Sequence, residues 1–186
     1  QMRAIELDPG FRGGDYYEAP NDAGPHQGLG IARMIAHTTY RSEPELDARF
    51  GNSSQDARDT RVPEGRFAIQ SYLEHHAEKL ARRFDANTYL RIVHSINTHD
   101  VGRGRGGVEQ APSAWKGDAL IIAVDSDRLY PIVNSDRLAE ALPRETGVHV
   151  IHSDVGHDGF LVESDALNAA VAAFLERVET ADVEAV

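Results

Sequence analysis

Carboxylate and imidazole side chains follow two short apolar runs near the C-terminal end of the sequence. The run ALIIAV at 119–124 leads to Asp125 and Asp127, and the run VHVIH at 148–152 leads to His157. A carboxylate that hydrogen-bonds an imidazole fixes its tautomer and stabilises the imidazolium that forms when the ring takes up a proton. The spacing therefore indicates a general acid–base pair, with His157 as the base and one of the two aspartates as its partner.

The same region contains enough imidazole and carboxylate groups to raise the question of a metal site. The candidate ligands are His149, His152, Asp154, His157 and Asp158. Side chains alternate along a strand, so His149 and His152 point to opposite faces, and the sequence has no H-E-x-x-H motif. We therefore expect no metal ion.

The run at 119–124 is short and continuously apolar, as expected of a parallel strand that is covered on both faces, and the run at 148–152 is also predicted to be a strand. A helix predicted at about 134–142 connects them, and an amphipathic helix at about 164–178 follows, so that the four elements form a βαβα unit. In an open α/β sheet, active groups lie just beyond the carboxyl ends of the strands. The predicted fold of this part is α/β, and it brings the aspartates and His157 to one edge of the sheet.

Helical patterns fill the sequence before these strands. The apolar spacing predicts four helices, at 28–41, about 43–50, 66–83 and 85–98. Asp85 is a suitable N-cap for the last of them. The residues before and after this block, 8–27 and 99–118, are rich in glycine and polar turn formers. An all-helical block therefore precedes the α/β part.

Composition and charge narrow the functional classes. The 186 residues are 41% hydrophobic and 26% charged, and they include neither a run long enough to span a membrane nor a signal-peptide pattern. We expect a soluble, cytoplasmic protein. With 19 Lys and Arg against 30 Asp and Glu, the formal charge of -11 opposes binding to nucleic acid or to anionic membranes.

The nucleophile that would complete a catalytic triad is missing from the sequence. There is no cysteine, and no G-x-S-x-G motif follows a strand. The candidate serines all lie in the wrong context for a nucleophile; they are Ser53, Ser54, Ser113, Ser126 and Ser153. In α/β-hydrolase proteins the triad runs Ser, Asp or Glu, His, and here Asp127 precedes His157 by 30 residues. Because the opening QMRAIELDPGF has the pattern of a helix end, we expect the serine in a segment that precedes Gln1.

Four segments carry a resemblance to a known enzyme family. They are GLGIARMIAHTTYRSEPELDARFG, FAIQSYLEHHAEKLARRFDANTYLRIVHSINTHDVGRGRGG, VDSDRLYP and GHDGFLVES. Over about residues 4–178 they resemble the C-terminal half of homoserine O-acetyltransferase, an α/β-hydrolase-fold enzyme of methionine biosynthesis. The resemblance implies a core-helix end and loop at 1–27, a helical lid at 28–105 that also forms a homodimer surface, and the C-terminal part of the α/β-hydrolase core at 106–186.

The resemblance also implies which residues are catalytic. The family motif S/T-D-x-L-[FY]-P falls on SDRLYP, which places the triad aspartate on Asp127 rather than Asp125. The motif GHDAF places the triad histidine on His157. This chain has Gly159 where the family has alanine, which is a small change.

Three further residues are implied to contact the substrate. Asp158, directly after the triad histidine, would bind the amino group of homoserine. In the segment ARMIAHTTY, Arg33 would bind the homoserine carboxylate by bidentate pairing. Tyr40 lies two helical turns after Arg33, so the two side chains share a face and would both face the active site.

The resemblance implies two-step acyl transfer, with acetyl-CoA as co-substrate and no bound cofactor. The absent serine, activated by His157, would attack the thioester, and the homoserine hydroxyl would then attack the acyl-enzyme. Three alternatives within the fold stay open: succinyl-CoA as donor, serine as acceptor, or a plain esterase that uses water. Arg33 and Asp158 argue against the esterase, because water needs no fixed charges. A non-enzymatic helical interaction module would leave the Asp127 and His157 pair without a purpose.

Overall fold

The computed structural model describes residues 1–20, 23–55, 65–144 and 146–184. The chain divides into two compact units. One comprises Gln1–Thr39 and Leu46–His99, and the other comprises Tyr40–Glu45 and Asp100–Val186. The first unit is helical, and the second contains the two strands.

Five helices lie wholly or mainly in the first unit. They are α1 (Met2–Glu6), α2 (His26–Tyr40), α3 (Glu43–Arg49), α4 (Ala68–Ala81) and α5 (Ala86–Thr98). The four helices predicted from the apolar spacing are therefore confirmed, with ends that differ by one or two residues. Helices α1, α2, α4 and α5 contribute the core residues Ile5, Leu29, Ala32, Leu80 and Ala86.

The predicted N-cap of α5 is confirmed and has a second partner. Oδ2 of Asp85 accepts a hydrogen bond from the backbone N–H of Thr88 at 2.7 Å. The Tyr16 hydroxyl donates to the other carboxylate oxygen and accepts from the backbone N–H of Ala86 at 3.0 Å. Burial, followed by the bond to Asp85, raises the pKa of Tyr16 to about 12. These bonds anchor the N-terminal loop to the start of α5.

The second unit contains the parallel βαβα unit that the sequence predicts. Its elements are β1 (Ile121–Val124), α6 (Ile132–Ala141), β2 (Val148–Ile151), α7 (Gly159–Val162) and α8 (Ser164–Glu184). The two strands are parallel, with Ile121 opposite Val148 and Val124 opposite Ile151. Their carboxyl ends therefore lie side by side, and the loops that carry the candidate catalytic residues leave from the same edge.

Helix α8 is longer than the apolar pattern predicts. The prediction ended at about residue 178, where apolar spacing ends, whereas the helix continues to Glu184. The added residues include Glu179, Ala181 and Glu184, which have high intrinsic helix propensity. No helix in the described part of the chain is both long and apolar enough to cross a membrane.

Candidate functional site

In the turn after β2, a tightly packed glycine directly precedes His157. Gly156 has a φ of +85°, in the left-handed region that favours glycine. A Cβ at this position would lie 2.7 Å from the backbone N of Ser42 and 2.8 Å from the backbone O of Tyr40. The Gly156 backbone therefore packs directly on the backbone between α2 and α3. A 3₁₀ turn begins at Gly156 and sets the position of His157.

The structure pairs His157 with Asp127. Nδ1 of His157 lies 2.8 Å from Oδ2 of Asp127, with the carboxylate 8% exposed and the imidazole 24% exposed. Oδ1 of Asp127 accepts hydrogen bonds from the backbone N–H groups of Leu129 and Tyr130, at 2.8 and 2.9 Å. Because a carboxylate oxygen only accepts, neutral His157 carries its proton on Nδ1 and leaves Nε2 as the basic nitrogen. This geometry suits a general base with an orienting carboxylate.

Three aromatic rings surround the imidazole of His157. The ring centroids of Tyr130, Phe160 and Tyr40 lie 5.4, 5.7 and 5.8 Å from its centroid. These rings lie around the imidazole, which is only 24% exposed, and this partial burial strengthens its hydrogen bond to Asp127. Sequence reasoning gives a role to Tyr40 alone. Tyr130 and Phe160 are missed, although both stand inside the motifs that locate the pair.

A second aspartate–histidine pair lies beside the first. Nδ1 of His152 is 2.8 Å from Oδ2 of Asp125, but here the imidazole is 83% exposed and the carboxylate 39% exposed. Oδ1 of Asp125 accepts a hydrogen bond from the backbone N–H of Ser153 at 3.0 Å. The two aspartates left open by the apolar spacing thus have different partners. The pair of Asp125 and His152 links the end of β1 to the residues after β2. Its imidazole is open to solvent, which does not suit a catalytic base.

The hydrogen bonds of Asp125 predict a stability change in acid. The Ser153 N–H first, and then the His152 side chain, hold the pKa of Asp125 below its ordinary value. Its stabilising contribution is therefore present above the unfolded-state pKa of about 3.9 and is lost as pH falls through the lower folded-state pKa. We expect Asp125→Asn to lower the free energy of unfolding near pH 7 by about 1 kcal/mol or less, because the carboxylate is partly exposed. The difference from wild type should vanish in strong acid.

Urea denaturation of both proteins from pH 7 down to about pH 2, below the ordinary aspartate pKa, measures this difference. Asp136→Asn is the matched control, because Asp136 is exposed on α6, and it should leave the unfolding curve unchanged. A stability difference for Asp125→Asn that does not depend on pH would contradict the assignment.

The serines of this region have structural partners. Ser126 donates from Oγ to the backbone O of Ser153 and accepts from the backbone N–H of Gly156 at 2.9 Å. Ser153 Oγ lies 2.9 Å from Oε1 of Glu163. Both hydroxyls fasten the loops after the strands to each other, in agreement with the sequence argument that neither is the nucleophile. Ser42 is a further fastening residue that the sequence argument misses.

The three residues expected to bind substrate have different surroundings. Tyr40, the last residue of α2, contacts the imidazole of His157 as described above. Asp158 is paired with Arg41, whose Nη2 lies 3.3 Å from Oδ2 of Asp158. Arg33 lies two turns earlier on α2, in the first unit, and is half-buried. The substrate contacts themselves stay predictions.

The histidines and aspartates in and after β2 are the residues that the sequence offers as metal ligands. Within the four described ranges, no group of three or more His, Asp or Glu side chains is placed to hold a metal ion. His149 is exposed on β2, and the ring of His152 is engaged by Asp125.

Comparison with known proteins places this geometry in a family context. A family model described as the alpha/beta hydrolase fold matches residues 1–164. The homoserine O-acetyltransferase of Thermobifida fusca (strain YX) is 50% identical over 171 residues, which cover 92% of this chain and 45% of that protein. The homoserine O-acetyltransferase of Mycobacterium leprae (strain TN) is 47% identical over 184 residues, which cover 99% of this chain and 47% of that protein. The chain thus spans about half the length of these relatives.

Solved structures support the same fold. The crystal structure of homoserine O-acetyltransferase from Bacillus anthracis matches 94% of this chain and 46% of its own chain, with a TM-score of 0.81 and 21% identity. The crystal structure of esterase E22 matches 94% of this chain and 48% of its own, with a TM-score of 0.79 and 20% identity. At this identity the likeness shows the fold and does not separate a transferase from an esterase.

Proposed function

Because this chain belongs to the α/β-hydrolase fold family, we propose that it forms the C-terminal part of a homoserine O-acetyltransferase whose nucleophilic serine lies in a preceding segment. The identity of about half of all aligned residues to relatives of that name supports the proposal. The observation that carries it is the pair of Asp127 and His157 at 2.8 Å. Acyl transfer through a serine needs such a base beyond the carboxyl ends of the strands.

In the first step, His157 acts as the base for the serine. Nε2 of His157 takes the proton of the serine hydroxyl while the serine oxygen attacks the thioester carbonyl of acetyl-CoA. The carbon–sulfur bond breaks, and the imidazolium returns the proton to the departing thiolate. Asp127 stabilises the imidazolium during this exchange, because its carboxylate already accepts the Nδ1 proton. The products of this step are the acetyl-serine ester and free coenzyme A.

In the second step, the same nitrogen activates the acceptor. Nε2 takes the proton of the homoserine hydroxyl as that oxygen attacks the acetyl-serine ester. The ester bond to the serine breaks, and the imidazolium returns the proton to the serine oxygen. The product is O-acetylhomoserine, and the enzyme is restored for the next cycle in methionine biosynthesis.

Three side chains recognise the acceptor in this proposal. Asp158 binds its ammonium group, Arg33 binds its carboxylate, and Tyr40 lines the space beside the base. The helices within 28–105 form the lid over the site and the surface through which two copies of the cytoplasmic enzyme form a homodimer. Support for the acceptor site comes from the position of Asp158 next to His157 and from the ring contact between Tyr40 and the imidazole.

Steady-state assays of the full-length enzyme test the proposal. Acetyl-CoA and succinyl-CoA are each combined with homoserine, with serine and with no acceptor, and both thiol release and the ester product are followed. We expect acetyl-CoA with homoserine to give the highest kcat/KM and O-acetylhomoserine as the product. A higher kcat/KM with succinyl-CoA would show that the donor is succinyl-CoA instead of acetyl-CoA. A higher kcat/KM with serine would show that the acceptor is serine instead of homoserine. Equal thiol release without an acceptor would indicate an esterase.

A further inference from the structure

Three charged side chains form a closed cluster beside the candidate base. Nη2 of Arg41 lies 3.3 Å from Oδ2 of Asp158, and Nη1 lies 3.7 Å from Oε1 of Glu45. The side chains of Arg41, Asp158 and Glu45 are only 20%, 25% and 16% exposed. Pairs this far buried are screened less by solvent and salt than surface pairs are. Building on the proposed function, we propose that Arg41 is a positioning residue that holds Asp158 in place to bind the ammonium group of the acyl acceptor.

The backbone on either side of Arg41 is fixed to the loop that carries the base. Ser42 Oγ donates a hydrogen bond to the backbone O of Asp154 and accepts one from the backbone N–H of Glu45 at 3.2 Å. A Cβ on Gly156 would lie 3.0 Å from the carbonyl carbon of Arg41, so these two backbones are in direct contact. The Arg41 side chain therefore starts from a fixed point beside the turn that contains Asp158.

The charges of the cluster favour a cationic ligand. The Arg41 guanidinium faces the carboxylates of Asp158 and Glu45, and the side chains of all three are largely buried. An ammonium group brought to Asp158 would be attracted by its carboxylate, whereas a carboxylate would be repelled. An acceptor with an α-amino group fits this requirement, and water or an uncharged alcohol does not.

Arginine suits this position better than lysine does. Its two terminal nitrogens each contact a different carboxylate, and a single ammonium cannot reproduce that geometry. Within the described part of the chain, Arg41 is the cation that pairs with Asp158. Without it, Asp158 would lose this partner and could turn away from the acceptor.

A double-mutant cycle in the full-length enzyme tests this role. Arg41→Ala should raise the KM for homoserine about tenfold, within the range of coupling between contacting residues. It should leave the rate of acetyl-enzyme formation from acetyl-CoA within about twofold of wild type. In an Asp158→Asn background, the same substitution should change the KM for homoserine by less than about twofold, because Arg41 acts through Asp158.

A second acceptor separates positioning from a merely structural role. The analogue 4-hydroxybutanoate lacks the α-amino group, so the wild-type preference for homoserine over this analogue should shrink in Arg41→Ala. Arg128→Ala is the matched control, because Arg128 pairs with Glu43 at 2.8 Å in the same unit but is half exposed. It should leave both acceptors unaffected.

Arg41→Lys keeps the proposal testable if the alanine variant does not fold. Lysine keeps one positive charge, so the KM for homoserine should rise several-fold and again only when Asp158 is present. Unchanged KM in Arg41→Lys, or effects of Arg41 and Asp158 that simply add, would overturn the inference. An enzyme that shows no transfer to homoserine in any form would instead overturn the proposed function.

Discussion

Replacing His157 with glutamine is expected to lower kcat for acyl transfer by about 10⁴- to 10⁶-fold in the full-length enzyme. Glutamine has a similar reach and can still hydrogen-bond Asp127, but it cannot take up and return a proton. Both the attack of the serine and the attack of the acceptor therefore lose their base. Single-turnover assays with acetyl-CoA alone should show slow acetyl-enzyme formation, and steady-state assays should show slow transfer.

The chain offers a matched control in its second pair. His152 lies at the same 2.8 Å from Asp125, but its side chain is 83% exposed. His152→Gln should leave kcat within about twofold of wild type, because surface changes away from the site have small effects. A His157→Gln enzyme that keeps more than about one tenth of wild-type kcat would contradict the assignment of the base.

Replacing Asp127 with asparagine is expected to lower kcat by about 10⁴-fold. In the structure, Oδ1 accepts from the backbone N–H groups of Leu129 and Tyr130, while Oδ2 faces Nδ1 of His157. An asparagine would keep its oxygen on the two backbone donors and so turn its NH₂ group toward His157. The imidazole would then carry its proton on Nε2, where it cannot act as a base.

The matched control for this variant is Asp125→Asn. It changes the same chemical group two residues earlier, and it should lower stability near neutral pH without affecting kcat. Folding of the Asp127→Asn enzyme can be checked by its unfolding curve at neutral pH. Equal losses of kcat in the Asp125 and Asp127 variants would contradict the division of roles between the two pairs.

The secondary structure was largely predictable because local patterns determine it. The apolar run that became β1 is short and lacks polar residues, which indicates a buried parallel strand. Asp85 was identifiable as a helix cap because an aspartate before a periodic segment can satisfy a free N–H group. Both signals lie within a few residues of the element that they specify.

The partners of the two aspartates were not predictable from spacing. Asp125 and Asp127 both follow β1, and His152 and His157 both follow β2. Any of the cross-pairs satisfies the rule that active groups lie beyond the strand ends. Backbone N–H groups decide the outcome, because those of Leu129 and Tyr130 orient Asp127 and that of Ser153 orients Asp125.

The charged cluster around Arg41 was equally hidden in the sequence. Arg41 and Asp158 are separated by more than a hundred residues, and an arginine after a helix is most often a surface residue. Only packing of the backbone near Ser42 against Gly156 brings the two charges together. Contacts of this kind depend on the folded chain and leave no periodic signal.

The close contact between Gly156 and the backbone of residues 40–42 makes two segments that are distant in the sequence depend on each other. A residue larger than glycine there would have to displace the backbone of Tyr40 and Ser42, and a shift of that backbone would disturb the ring beside His157 and the side chain of Arg41. A lineage could therefore alter one segment only by altering the other at the same time. Sequence variation should accordingly arise elsewhere around His157, where single substitutions can be accepted one by one.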